Sequence, residues 1–221
     1  MEQLYSLNYM LKLIKSFCDN SISDYMFVKH YNTLSLPKEE VSEIIKNSEK
    51  EYCLLYYKYS KHQMLEPYQP FLGWIRELYY EYFADETPED FVINAKVYPM
   101  QYKTFSEYIR VGKAERVEDI LLNELYYESK RVLESIANIY KYICEKINLF
   151  IIIDGIHFGN YSGIKALHKL MDTRIPGKLR LVATYNESYN IMGYISPVWK
   201  NTLRRREICI TSYASRMQNI I

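Results

Sequence analysis

The chain has 221 residues, 48% apolar and 25% charged, which is enough for one filled core or for one domain with a tail. A net charge of +1 offers no field to draw nucleic acid or an acidic membrane surface, and no apolar run reaches the roughly 18 residues of a membrane span. The four cysteines lie far apart without a C-x-x-C pair, which argues against zinc and against a disulfide framework, and no signal-peptide pattern opens the chain. The expected compartment is the cytoplasm, with reduced thiols.

The opening segment places Leu4, Leu7, Leu11, Ile14 and Phe17 at steps of three and four, a helical stripe. "YMFVKHY", 25–31, is aromatic and β-branched and predicts a strand. "NTLSLPK" follows as a loop, and Pro37 suits the first turn of a helix through "KEEVSEIIKNSEKE". A second strand, 52–59, hardly alternates and so predicts burial on both sides. Pro67 and Pro70 close a loop and open a helix carrying Phe71, Trp74, Ile75 and Leu78. From 84 to 112 the periodicity is weak, predicting irregular chain with short helices.

A long helix is predicted over 115–146, with Val132, Leu133, Ile136, Ala137, Tyr140, Ile143 and Ile147 as its apolar stripe. A continuous apolar strand at 149–153 runs into Asp154. A helix through "SGIKALHKLM", the turn "RIPGK" and a strand at 179–184 complete the pattern. The expectation for 204–221 is a basic, weakly structured tail beyond a module spanning 1–203. Lys200 with Arg204, Arg205 and Arg206 forms the only cationic cluster of the chain.

Strands alternate with helices, and three strands are solidly apolar. The predicted class is α/β, a doubly wound parallel sheet with helices on both faces. Ligands of such sheets sit beyond the carboxyl ends of the strands, where Asp154 and Thr184 fall. An acid at the tip of a buried strand is how phosphate-binding folds hold magnesium. Aspartate is also a common turn residue at strand ends, so the position alone leaves both roles open. Asp154 and His157 also suggest an acid–base pair, but no nucleophile in a G-x-S-x-G setting accompanies them. His30, His62 and His168 read as surface or packing histidines.

"LFIIIDGIHFGNYSGIKALHKLM" followed by "LRLVATYNES" resembles the second half of an AAA-related P-loop ATPase module. Such modules occur in signal-transduction regulators of the maltose-activator type and in related cyclase and kinase sensors. By that resemblance Asp154 takes the place of the first of two acids, His157 of a histidine, Phe158 of a tryptophan and Ser162 of a serine. Thr184 and Tyr185 take the places of a threonine and a tyrosine. "EPYQPFLGWIREL" matches a Pro-Tyr-x-Pro-Phe segment that opens the helix after the second strand. The resemblance runs from about residue 4 to 196 and implies a P-loop NTPase-like fold. It further implies ATP with magnesium as ligands, magnesium on Asp154, and nucleotide contacts from Asp154, Thr184, Asn186 and Lys38.

The departures are as informative. Gly155 stands at the second acid, Asn160 at the following aspartate and Asn186 at an arginine. No G-x-x-x-x-G-K-[ST] occurs, and the loop "HYNTLSLPKEE" has no glycine with which backbone amides wrap a phosphate. Lys38 is present, but Glu39 and Glu40 occupy the place of the magnesium-binding hydroxyl. No catalytic residue is assigned.

The leading expectation is therefore a degenerate module that regulates or interacts without hydrolysing ATP. An ATP-binding switch or ATPase domain with an unconventional cradle is the second expectation. A nucleic-acid-binding regulator acting through the basic tail is the third. The short stretch after Thr184 leaves little room for a last core strand and a lid, which predicts a truncated or split reading frame. An edge uncovered in that way favours a protein partner or self-association.

Overall fold

Six residues in a row at 149–154 are buried, five of them apolar, and this run is the spine of a parallel sheet. The computed structural model describes residues 2–20, 25–30, 36–61, 67–112, 122–173, 175–186 and 207–209. Two compact units form. One comprises Met1–Met64, Asn148–Gly159 and Pro176–Ile221, and the other Leu65–Ile147 and Asn160–Ile175.

The first unit holds β1 (Tyr25–His30), β2 (Cys53–Lys58), β3 (Leu149–Asp154), β4 (Leu179–Asn186) and β5 (Glu207–Cys209). Their order across the sheet is β2-β3-β4-β1-β5, and every neighbouring pair is parallel. The fold is thus α/β with a parallel sheet. The short strand β5 falls within the stretch expected to be weakly structured, and its three residues pair with Phe27, Val28 and Lys29 of β1. The rest of 204–221, with Arg204, Arg205 and Arg206, lies outside the described residues.

Two helices, α1 (Glu2–Asn20) and α2 (Lys38–Lys46), share a core with one face of this sheet. Met26 and Val28, Phe150 and Ile152, and Val182 point to that face at the two-residue period of a strand. They meet Met10, Ile14, Phe17 and Cys18 from α1 and Val41 and Ile45 from α2. Phe150 receives the edges of Phe17 and Tyr52 at 5.9 and 5.7 Å, the geometry that opposed aromatic quadrupoles favour. Burial pushes the Cys18 thiol up to about 12, with Asp19 adding to the shift, so Cys18 packs as an inert apolar group. The face of α1 that is buried is turned from the leucine stripe the sequence suggests. Leu7 and Leu11 are half-buried while Met10 and Cys18 are fully enclosed, because methionine and cysteine complete a tighter i, i+4, i+7, i+8 set.

The second unit is helical: α3 (Phe71–Tyr82), α4 (Pro88–Asn94), α5 (Tyr102–Val111), α6 (Leu122–Lys146) and α7 (Tyr161–Thr173). The stretch predicted to be irregular with short helices, 84–112, contains two of them, α4 and α5. Local chemistry accounts for both. The Thr87 hydroxyl accepts the Asp90 amide at 3.1 Å, with Pro88 in the first turn, and Gly112 ends α5 in the left-handed region at φ 75°. On α6, Ile136, Ala137, Tyr140 and Ile143 are buried as the stripe predicts, while Val132, Leu133 and Ile147 are half-buried. Among the described residues no helix is long and apolar enough to cross a membrane.

Candidate functional site

The alternation that turns Phe150 and Ile152 into the core brings Asp154 to the same face at the end of β3, and it brings Thr184 there two residues after Val182 on β4. Both side chains are buried, Asp154 at 2% exposure and Thr184 at 0%. An ionised carboxylate at that depth needs partners, since transfer out of water without hydrogen bonds is prohibitive. It has them. The Thr184 hydroxyl donates to Oδ1 at 2.5 Å, and the Leu36 backbone N–H donates to Oδ2 at 3.2 Å. Thr184 in turn accepts the Gly155 amide at 3.1 Å, and the Asp154 carbonyl accepts the Tyr59 amide at 2.9 Å.

Two residues here carry no signal in the sequence analysis. Leu36 precedes the helix-opening Pro37 and is itself buried, its side chain in the core of the first unit. Tyr56, on β2, lies on the same face and donates its hydroxyl to the Leu36 carbonyl at 2.8 Å. That hydroxyl stands 3.5 Å from Asp154 Oδ2, so its single proton serves mainly the shorter contact. Both backbone polar groups of Leu36 are therefore held, the amide by Asp154 and the carbonyl by Tyr56. Tyr56 stands beside a second tyrosine, Tyr57, in β2, and the sequence does not separate the two; Leu36 leaves no trace, because its role is played by its backbone.

Asp154 and Thr184 are brought together, as expected of the strand ends. Lys38 is exposed at the start of α2, and Glu39 and Glu40 beside it are exposed too. Asn186 pairs in register with His30 at the end of β4, and its side chain lies outside the described residues. His157 is half-buried with its ring on Phe158, centroids 4.0 Å apart. In the second unit Asn160 Oδ1 accepts the Gly163 amide at 2.7 Å and caps α7. The Ser162 hydroxyl accepts the Tyr68 amide at 3.0 Å, tying together two of the resemblance segments.

Gly155, which stands at the second acid position, has φ 75° and ψ 41°, and a Cβ there would come within 3.2 Å of the Tyr59 carbonyl. A side-chain-bearing acid is strained in that conformation, so glycine is what the backbone asks for.

Magnesium requires oxygen ligands around it at close range. Both oxygens of Asp154 already accept hydrogens, Oδ1 from the Thr184 hydroxyl and Oδ2 from the Leu36 N–H. Among the described residues no group of three acidic, histidine or cysteine side chains gathers to hold a metal, so the described donors do not assemble a magnesium site. No family model matches the chain, and no curated protein matches it significantly.

Proposed function

We propose that the chain is a module derived from an AAA-related P-loop ATPase that serves as a cytoplasmic regulatory or interaction domain and does not hydrolyse ATP. The strand order supports the P-loop part of this reading. In β2-β3-β4-β1-β5 the chain leaves β1 for one side of the sheet and leaves β4 for the other. That divergence opens a crevice at the carboxyl ends of β1 and β4, the place where doubly wound sheets bind ligands. It is also the order expected of an AAA-related module, with the strand ending in Thr184 between the first strand and the strand ending in Asp154.

The observation that carries the loss of catalysis is the engagement of Asp154 with Leu36 and Thr184. Phosphoryl transfer relies on positioning and on charge stabilisation, and removal of one well-placed stabilising group typically lowers the rate by about 100- to 1,000-fold. Here the acid that would hold the metal is occupied and the second acid is Gly155. The place of the magnesium-binding hydroxyl is taken by exposed glutamates. A partner protein or a second copy of the chain remains the effector of choice over nucleic acid, given a net charge of +1.

Isothermal titration of the full chain with Mg-ATP tests the reading. No binding heat up to millimolar nucleotide is expected. Micromolar binding that Asp154→Ala abolishes would establish an ATP-binding switch instead.

A further inference from the structure

In a working nucleotide module the turn after the first strand is ordered by the anion it wraps. The geometry here points to a different source of order: we propose that Asp154 and Tyr56 form an internal clamp on the backbone of Leu36, so that a carboxylate of the chain itself organises the entry to α2 without any ligand. This rests on the P-loop-derived reading only for its contrast with nucleotide-bound relatives; the clamp is defined by contacts on its own.

Three observations converge on one peptide segment. The Leu36 amide donates to a carboxylate that is 98% buried, the kind of charge-assisted bond that is roughly twice as strong as a neutral one. The Leu36 carbonyl is taken by Tyr56 at 2.8 Å, which fixes the orientation of the same residue from the other side. The Leu36 side chain, 1% exposed, is anchored in the core with Val41 and Ile45 of the helix it introduces. Thr184 holds the other oxygen of Asp154, so the carboxylate is fixed by β4 while it grips Leu36 at the entry to α2. That entry is thereby linked to β2, β3 and β4 through one acid and one phenol. An anion arriving from solution would have to compete with a carboxylate that is already in place and needs no ordering.

Amide hydrogen exchange at Leu36, followed by NMR on the full chain, tests the clamp. In the wild type Leu36 is expected to be protected without nucleotide, and millimolar Mg-ATP is expected to leave its rate unchanged. Asp154→Asn, which keeps one oxygen but loses the charge, is expected to speed exchange about 10- to 100-fold. Tyr56→Phe, which removes only the hydroxyl, is expected to speed it about 3- to 10-fold.

Equal rates in the wild type and in folded Tyr56→Phe and Asp154→Asn would overturn the proposal, as would protection that appears only with Mg-ATP. If Asp154→Asn does not fold, the Tyr56→Phe rate decides. Micromolar nucleotide binding together with the expected variant rates would sink the degenerate-module reading and leave the clamp standing. Indifference of Leu36 to both substitutions, with no nucleotide bound, would do the reverse.

Discussion

The sheet unit and the helical unit both use tyrosine hydroxyls on backbone carbonyls, and the sheet unit adds a buried acid. In the sheet unit Asp154 joins β3, β4 and the entry to α2 at Leu36, with Tyr56 on the Leu36 carbonyl. In the helical unit the work falls to tyrosine hydroxyls that reach single backbone carbonyls. Tyr140 donates to Phe71 at 3.1 Å, Tyr79 to Glu86 at 2.5 Å and Tyr80 to Ile109 at 3.2 Å. A tyrosine brings a large apolar body and its own donor, so each packs a helix and satisfies a carbonyl in one step. This gives the high tyrosine content a structural role. It also makes the two units fail differently: loss of a tyrosine hydroxyl affects one carbonyl, whereas loss of the acid releases several elements.

The largest effects should not distinguish the units, because each core encloses a fully buried phenylalanine. Phe150→Ala in the sheet and Phe91→Ala among the helices should each destabilise by about 3–5 kcal/mol in urea titrations, through lost transfer energy and a residual cavity. Phe91 meets Tyr79, Phe83 and Tyr142, so its cavity has rigid walls. A loss under about 1 kcal/mol at either site would show that its surroundings collapse and that the unit is loosely packed.

The tyrosine pattern is sharpened by a pair of hydroxyl deletions. Tyr140→Phe removes a buried hydrogen bond to the Phe71 carbonyl and should cost about 0.5–1.5 kcal/mol. Tyr80→Phe, at a residue 50% exposed whose acceptor, the Ile109 carbonyl, also takes the Arg76 Nε–H, should cost less than about 0.5 kcal/mol. Equal losses would break the distinction between buried and exposed phenols.

Glu86 offers a pH test confined to the helical unit. Burial would raise its pKa, but hydrogen bonds from Asn94, Tyr142 and Lys146 outweigh that and hold it below the usual carboxylate range. A lowered folded pKa means stability that is fully present above the unfolded value of about 4.3 and is lost as pH falls through the lower folded value. The stability difference between wild type and Glu86→Gln, measured by thermal melts, should therefore be constant near neutrality and shrink below about pH 4. A gap that widens on acidification would reverse the assignment. The smallest effect is expected at Lys38, exposed and without an ion pair among the described residues, where Lys38→Ala should change stability by no more than about 0.5 kcal/mol.

Composition and periodicity carry the first four strands because buried parallel strands are rich in apolar residues, as 149–153 is throughout and 179–183 is but for Arg180. They also carry Asp154 as a strand-end residue, whereas β4 runs past Thr184 to Asn186. The helices α4 and α5 were legible only as short helices without bounds, because short helices hold too few turns for a clear stripe. The strand β5 has no apolar run to announce it; its residues pair because β1 presents an edge.

The tertiary structure alone decided which donors meet Asp154. A carboxylate at a strand tip is compatible with a metal or with a hydrogen-bonded junction. The choice is made by which donors the fold brings within about 3 Å, here a backbone amide from a residue 118 positions away and a hydroxyl 30 positions away. Side-chain type is local and can be read along the chain. The partners of a buried charge are set by which strand ends the sheet places side by side.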